Sequence, residues 1–227
     1  MKINLLLLII NRLIASNGFL YSFGKDNSEG QLGVGDLKPR NVPCLIDSLT
    51  SLGEKIVSIS CGFKHTICKS SLGKVFTWGA GDFGQLGTGY FSNEVTPKMI
   101  KAEKYSDQKH SVNKVLQVKA GFRSCMILLD NRKVFWWGTN SVLDHEKSPK
   151  FMDYSLFLEL SDNEKATDYM PIRLLSSWSR TCSLLYITMA DCTRVSSHLP
   201  VIQKCCNNLS LKWDTQSSLN FNYIKIK

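Results

Sequence analysis

The sequence predicts an all-β fold, a partial β-propeller of about three blades. Three observations carry that expectation. A short aromatic strand that closes on glycine recurs at 19–24, 74–79 and 133–138. A turn built on three glycines follows two of these strands. A Gly-x-x-His element and an apolar run precede the strand. The closing glycines, Gly24, Gly79 and Gly138, are spaced 55 and 59 residues apart. Self-similarity at that period, made of short strands separated by glycine turns, has the size of a propeller blade.

The strand comes first. Its copies are Phe19-Leu-Tyr-Ser-Phe-Gly24, Lys74-Val-Phe-Thr-Trp-Gly79 and Lys133-Val-Phe-Trp-Trp-Gly138. Residues two apart on a strand point the same way. Tyr21 with Phe23, Phe76 with Trp78, and Phe135 with Trp137 therefore each share a face and form an aromatic packing layer. The closing glycine lets the chain turn sharply.

The turn follows. Gly30-Gln31-Leu32-Gly33-Val34-Gly35 matches Gly84-Gln85-Leu86-Gly87-Thr88-Gly89. The glycines permit positive-φ backbone, so Leu32 and Leu86 can plug into a core. Gln31 and Gln85 can satisfy backbone groups of the turn through their side-chain amides. In the third copy, 141–144, the glycines are gone and only Leu143 remains.

The preceding element is Cys61-Gly62-Phe63-Lys64-His65-Thr66, matched by Ala120-Gly121-Phe122-Arg123-Ser124-Cys125. Residues 177–182 echo it faintly, with Trp178 in the glycine position. The apolar runs 56–59 and 115–118 before these matches read as further strands.

Together these residues resemble the regulator of chromosome condensation family, whose repeat combines a G-x-x-H element, an aromatic strand ending in glycine and a G-Q-L-G-x-G turn. Residues 62–89 match all three parts. The resemblance is good over 13–145 and poor to about 190. It implies blades around an axis, seven in a closed ring, and His65 as a structural hydrogen-bonding residue. This chain has room for about three and a half repeats. The expectation is a fragment of a longer ring, or a chain whose open blade edges find partners.

Composition bounds the rest. The 227 residues are 43% hydrophobic and 21% charged, which suits a globular chain. Eight scattered cysteines lack zinc-ligand spacing and read as reduced, mostly buried residues. Net charge is +9, and +7 of it falls on 61–150. Residues 1–12 read as an apolar strand or a short signal-like segment, with the strand preferred because a repeat strand follows without a spacer. The run is too short to span a membrane. Residues 13–190 are the repeats, the last degenerate, and 191–227 a tail without repeat match. The expected location is cytoplasmic or nuclear, with secretion through residues 1–15 as the alternative.

Three features invite chemical readings. Residues 79–84 spell G-x-G-x-x-G after a strand, but a dinucleotide site needs a helix next, and Gln-Leu-Gly-Thr-Gly is no helix start. The four histidines share no metal or catalytic spacing. Lys98, Lys101, Lys104 and Lys109 form a basic stretch between the glycine turn and the next blade, a candidate contact to an acidic partner or to phosphates. It lacks the interleaved aromatics of a nucleic-acid surface and also reads as a solvated loop. Residues 153–168 read as a mildly acidic surface loop. No catalytic residue, metal or cofactor is expected. The expected function is a protein-interaction scaffold. The family resemblance offers an alternative: guanine-nucleotide exchange on a Ran-like small GTPase, or association with chromatin.

Overall fold

The computed structural model describes residues 2–6, 10–101, 114–140, 143–151, 169–178, 183–191, 198–202, 212–213 and 224–225. Three four-stranded antiparallel sheets follow one another, each a blade. Blade 1 is β1 (Lys2–Leu6), β2 (Ile10–Ile14), β3 (Leu20–Gly24) and β4 (Arg40–Leu45), followed by a short helix α1 (Asp47–Ser51). Blade 2 is β5 (Ile56–Cys61), β6 (His65–Ser70), β7 (Val75–Gly79) and β8 (Glu94–Ile100). Blade 3 is β9 (Val115–Ala120), β10 (Ser124–Leu129), β11 (Val134–Asn140) and β12 (Leu143–Phe151). A three-stranded sheet of β13 (Tyr169–Trp178), β14 (Ser183–Asp191) and β15 (His198–Ile202) comes next, then a short pair, β16 (Lys212–Trp213) with β17 (Ile224–Lys225).

The aromatic repeat strands are β3, β7 and β11, the third strand of each blade. Blade 2 is covered on both faces, so all five residues of β7 are buried. Phe76 and Trp78 face blade 1, in one cluster with Cys68, Leu20, Ile46 and Leu49. Val75, Ile67 and Ile100 face blade 3, with Val118, Ile127, Phe135 and Trp137. Each fully buried large side chain contributes about 1.5–3 kcal/mol, so the seams between blades hold most of the core. Strand β10 is buried throughout. Alternation turns its Met126 and Leu128 away from blade 2, on the side of β13, which touches both β9 and β10.

A repeated lock joins successive blades. The indole N–H of Trp78 donates to the Gln31 carbonyl of the preceding blade at 3.0 Å. Trp137 does the same to the Gln85 carbonyl at 2.9 Å. The glycines are what let the indole in. A Cβ on Gly33 would lie 2.5 Å from Trp78 Nε1, and one on Gly87 2.7 Å from Trp137 Nε1. Each turn is also tied to its own blade: Ser22 Oγ donates to the Leu32 carbonyl and Thr77 Oγ1 to the Leu86 carbonyl, at 2.7 and 2.6 Å. The Gln31 and Gln85 side-chain oxygens accept the Glu29 and Phe83 amides, both at 2.8 Å. Leu32 and Leu86 are fully buried.

In blade 3, β12 opens at Leu143, which pairs with Asn140 at the end of β11. Trp136 occupies the position of Ser22 and Thr77, so the hydroxyl that would hold a turn is absent together with the turn.

Candidate partner-docking face

The loops that join the first and second strands of blades 2 and 3 lie side by side. Phe63 and Phe122 stack across the seam, ring centroids 4.6 Å apart and planes 20° apart. The Phe63 amide donates to the Phe122 carbonyl at 3.1 Å. Backbone bonds fix the neighbouring basic residues: the amides of Ala80 and Thr139 donate to the Lys64 and Arg123 carbonyls. Both amides directly follow the closing glycines Gly79 and Gly138. With φ of +98° and +95°, these glycines leave no room for a Cβ, which would lie 2.4 Å from those same carbonyl oxygens.

Lys64 and Arg123 hold equivalent places but meet different neighbours. Lys64 reaches back to blade 1 and contacts Ser28 Oγ at 3.0 Å, Glu29 at 3.3 Å and Asp26 at 3.8 Å. Arg123 reaches back to blade 2 and lies over the Phe83 ring, 3.9 Å from its centroid, and 5.4 Å from that of Phe122. Glu29 and Phe83 are the same repeat position, since each donates its amide to the turn glutamine. One seam thus carries an ion pair and the other a cation–π contact. Between them lies a cleft of about 180 Å³, lined by Glu29, Phe63, Asp82, Phe83, Phe122 and Arg123 among others.

His65 sits beneath this face, fully buried, with Nε2 3.3 Å from the Ser124 carbonyl oxygen. That contact requires the Nε2–H tautomer. Nδ1 has no hydrogen-bond partner among the described residues. Gly62 makes space for the ring: a Cβ there would lie 2.4 Å from His65 Nδ1.

Comparison with known proteins agrees with this architecture. Two copies of the family model described as the regulator of chromosome condensation (RCC1) repeat match residues 17–68 and 73–128, and a second model of that repeat matches 56–85. Residues 17–128 are regulator of chromosome condensation repeats. It is similar to the ultraviolet-B receptor UVR8 of Arabidopsis thaliana, 36% identical over 56% of this chain and 27% of the receptor. It is also similar to the probable E3 ubiquitin-protein ligase HERC6 of Homo sapiens, 37% identical over 60% of this chain and 12% of the ligase. Among solved structures, human WBSCR16 superposes with a TM-score of 0.60 at 20% identity, covering 80% of this chain and 45% of that one. Prp20p of Saccharomyces cerevisiae, studied for its binding to Gsp1p and histones, superposes with a TM-score of 0.59 at 23% identity, covering 79% and 41%. The chain spans less than half the length of each of these proteins.

Within the repeats, the residues singled out by sequence separate into two sets. Gly24, Gly30, Gln31, Leu32, Gly33, Gly62, His65, Trp78, Gly79, Gly84, Gln85, Leu86, Gly87, Trp137 and Gly138 lie at seams or strand ends, and Gly121 flanks the stacked Phe122. No helix follows Gly84, only the turn, so the G-x-G-x-x-G run is part of the repeat. The basic stretch is corrected in one respect. Lys98 is not in a connecting loop but on β8, the outermost strand of blade 2, exposed and 3.7 Å from Glu94. Lys101 is exposed just beyond that strand. Lys104 and Lys109 lie outside the described residues. None of the described basic-stretch residues lines the cleft. Sequence reasoning passed over Phe63, Phe83, Phe122 and Arg123 as binding residues, although the paired Gly-Phe-Lys and Gly-Phe-Arg runs were the available signal.

Cys61, Cys68 and Cys125 are free and buried, and Cys44 is free and half-buried. Burial pushes the Cys125 thiol well up, which makes it a packing residue rather than a nucleophile. No helix among the described residues is long and apolar enough to cross a membrane.

Burial holds the His65 pKa at about 4, with the Ser124 carbonyl opposing part of the shift. In the unfolded chain a histidine titrates near 6.5. Between these values the unfolded state binds the extra proton, so stability is full above about pH 6.5 and falls as pH drops toward 4. The expected contribution is on the order of 3 kcal/mol. Urea denaturation at pH 7 and pH 4.5 checks this: wild type loses stability over that range by more than His65→Gln does.

Proposed function

We propose that the chain is a protein-interaction scaffold whose docking face is the loop end of the blade seams, centred on the Phe63–Phe122 stack and Arg123. The cleft is the observation that carries the reading. It gathers three aromatic rings and a guanidinium from two blades, a composition typical of interface anchors. The seam locks hold those residues in place without any ligand, so little ordering is needed on binding. Loops on a rigid scaffold are the common location for such sites.

The competing surface is the outer edge of blade 2 with Lys98 and Lys101. Cross-linking in a lysate of the source cells distinguishes the two. Charge reversal in the cleft, by Arg123→Glu or Asp82→Lys, is expected to abolish the partner adducts. The double change Lys98→Glu with Lys101→Glu is expected to leave them intact. The opposite pattern transfers the docking face to the outer edge.

Guanine-nucleotide exchange on a Ran-like GTPase is the narrower alternative, and it rests on the family resemblance. An exchange factor works by binding the nucleotide-free state more tightly and needs no catalytic side chain of its own. Nucleotide release from such a GTPase, unchanged by micromolar amounts of this protein, rules it out.

A further inference from the structure

We infer that Arg123 is the anchor for a carboxylate side chain of the partner protein. This rests on the docking-face reading and specifies what the face recognises.

Arg123 is half-buried, and its guanidinium is positioned by the rings of Phe83 and Phe122. A guanidinium carries five N–H donors arranged as a fork. Among the described residues, no carboxylate pairs with it and no acceptor takes a hydrogen bond from its side chain. The contrast with Lys64 is direct. That ammonium, at the equivalent place one blade earlier, is already occupied by Asp26, Ser28 and Glu29. The Glu29 position that pairs with Lys64 is Phe83 beneath Arg123. The ring orients the guanidinium and offers it no hydrogen-bond acceptor. The contact over the Phe83 ring takes up none of the guanidinium's N–H donors, so two of them can serve a bidentate carboxylate.

The surroundings select the class of anion. Glu29 and Asp82 also line the cleft, so its charged residues, with Lys64 and Arg123, balance to zero. A doubly charged phosphate or a polyanionic backbone would be repelled by those carboxylates more strongly than a single carboxylate would. Phe63 and Phe122 supply an apolar wall suited to the stem of an acidic side chain. An acidic residue of a protein segment fits these conditions better than nucleic acid does.

The test is a nuclear magnetic resonance titration of the full chain, following the Arg123 Nε–H signal, assigned by its loss in Arg123→Gln. The probes are a blocked tetrapeptide carrying one glutamate, the same peptide with glutamine in its place, and inorganic phosphate. The expected result is a saturable shift with the glutamate peptide, and affinity at least about tenfold weaker for the glutamine peptide, the difference a charge-assisted hydrogen bond provides. Phosphate should bind no better than the glutamine peptide. Equal response to the two peptides overturns the carboxylate assignment, and so does stronger binding of phosphate. Either failure leaves the docking face itself standing, because cross-linking by the cleft variants tests that separately. If the cleft variants keep their adducts while the glutamate peptide still binds selectively, Arg123 binds carboxylates but the docking face lies elsewhere, and the partner-anchor role is overturned.

Discussion

Replacing Trp78 with alanine is expected to lower stability by about 3–5 kcal/mol and to separate blade 1 from blade 2. The indole is fully buried and closes a cluster with Leu20, Ile46, Leu49 and Phe76. Its removal leaves a cavity at the seam and the Gln31 carbonyl without its donor. A domain of ordinary stability, about 5–15 kcal/mol in total, would lose a large part of it. Trp78→Phe separates the two contributions. It keeps much of the ring volume and removes the hydrogen bond, so the expected loss is about 1–3 kcal/mol, from the lost buried hydrogen bond and the smaller ring. Urea denaturation read by near-ultraviolet circular dichroism measures both. If the phenylalanine variant were as stable as wild type, the indole bond would not be part of the lock.

The second large effect is expected at Gly79. Alanine there meets two penalties. The backbone has φ +98°, and a Cβ would lie 2.4 Å from the Lys64 carbonyl oxygen and 2.9 Å from His65 Cα. Both obstacles are backbone and cannot swing aside. Left-handed backbone costs a side chain about 1–2 kcal/mol and overpacking about 1–3 kcal/mol, so Gly79→Ala should lose about 2–5 kcal/mol in urea denaturation. Gly53 is the internal control. Its φ is +69°, and nothing lies within 4 Å of a Cβ there. Gly53→Ala should therefore cost only the backbone part. Equal losses at the two positions would show that the close approach at Gly79 is unimportant. Because Gly79 and Ala80 position the Lys64 carbonyl, Gly79→Ala also disturbs the docking face.

The strands and turns were legible because their signals are local. Alternation placed Phe76 and Trp78 on one face of β7, and the glycines of 30–35 and 84–89 marked the turns. The lock between blades was not legible. Trp78 and its acceptor Gln31 are 47 residues apart, and nothing in the spacing says that one blade's indole enters the previous blade's turn. The docking face was hidden for the same reason. Phe63 and Phe122 occupy the same place in successive repeats, but only blade packing stacks them. The difference between Lys64 and Arg123 depends on a third position, Glu29 against Phe83, that the repeat pattern leaves variable. The lysine run stood out because charge is visible in sequence. Whether those lysines share a cleft is settled by strand position, and β8 puts Lys98 on the outer edge.

The central claim is that successive blades are locked by an indole donating into the preceding glycine turn, which holds the face residues in register. Hydrogen exchange of the tryptophan indole N–H groups tests it directly. Trp78 and Trp137 should be strongly protected and should exchange together, at a rate set by unfolding of the blades. Trp136, on the opposite face of β11 with no acceptor for its indole among the described residues, should exchange faster. Exchange of Trp78 and Trp137 at the rate of Trp136 would contradict the lock.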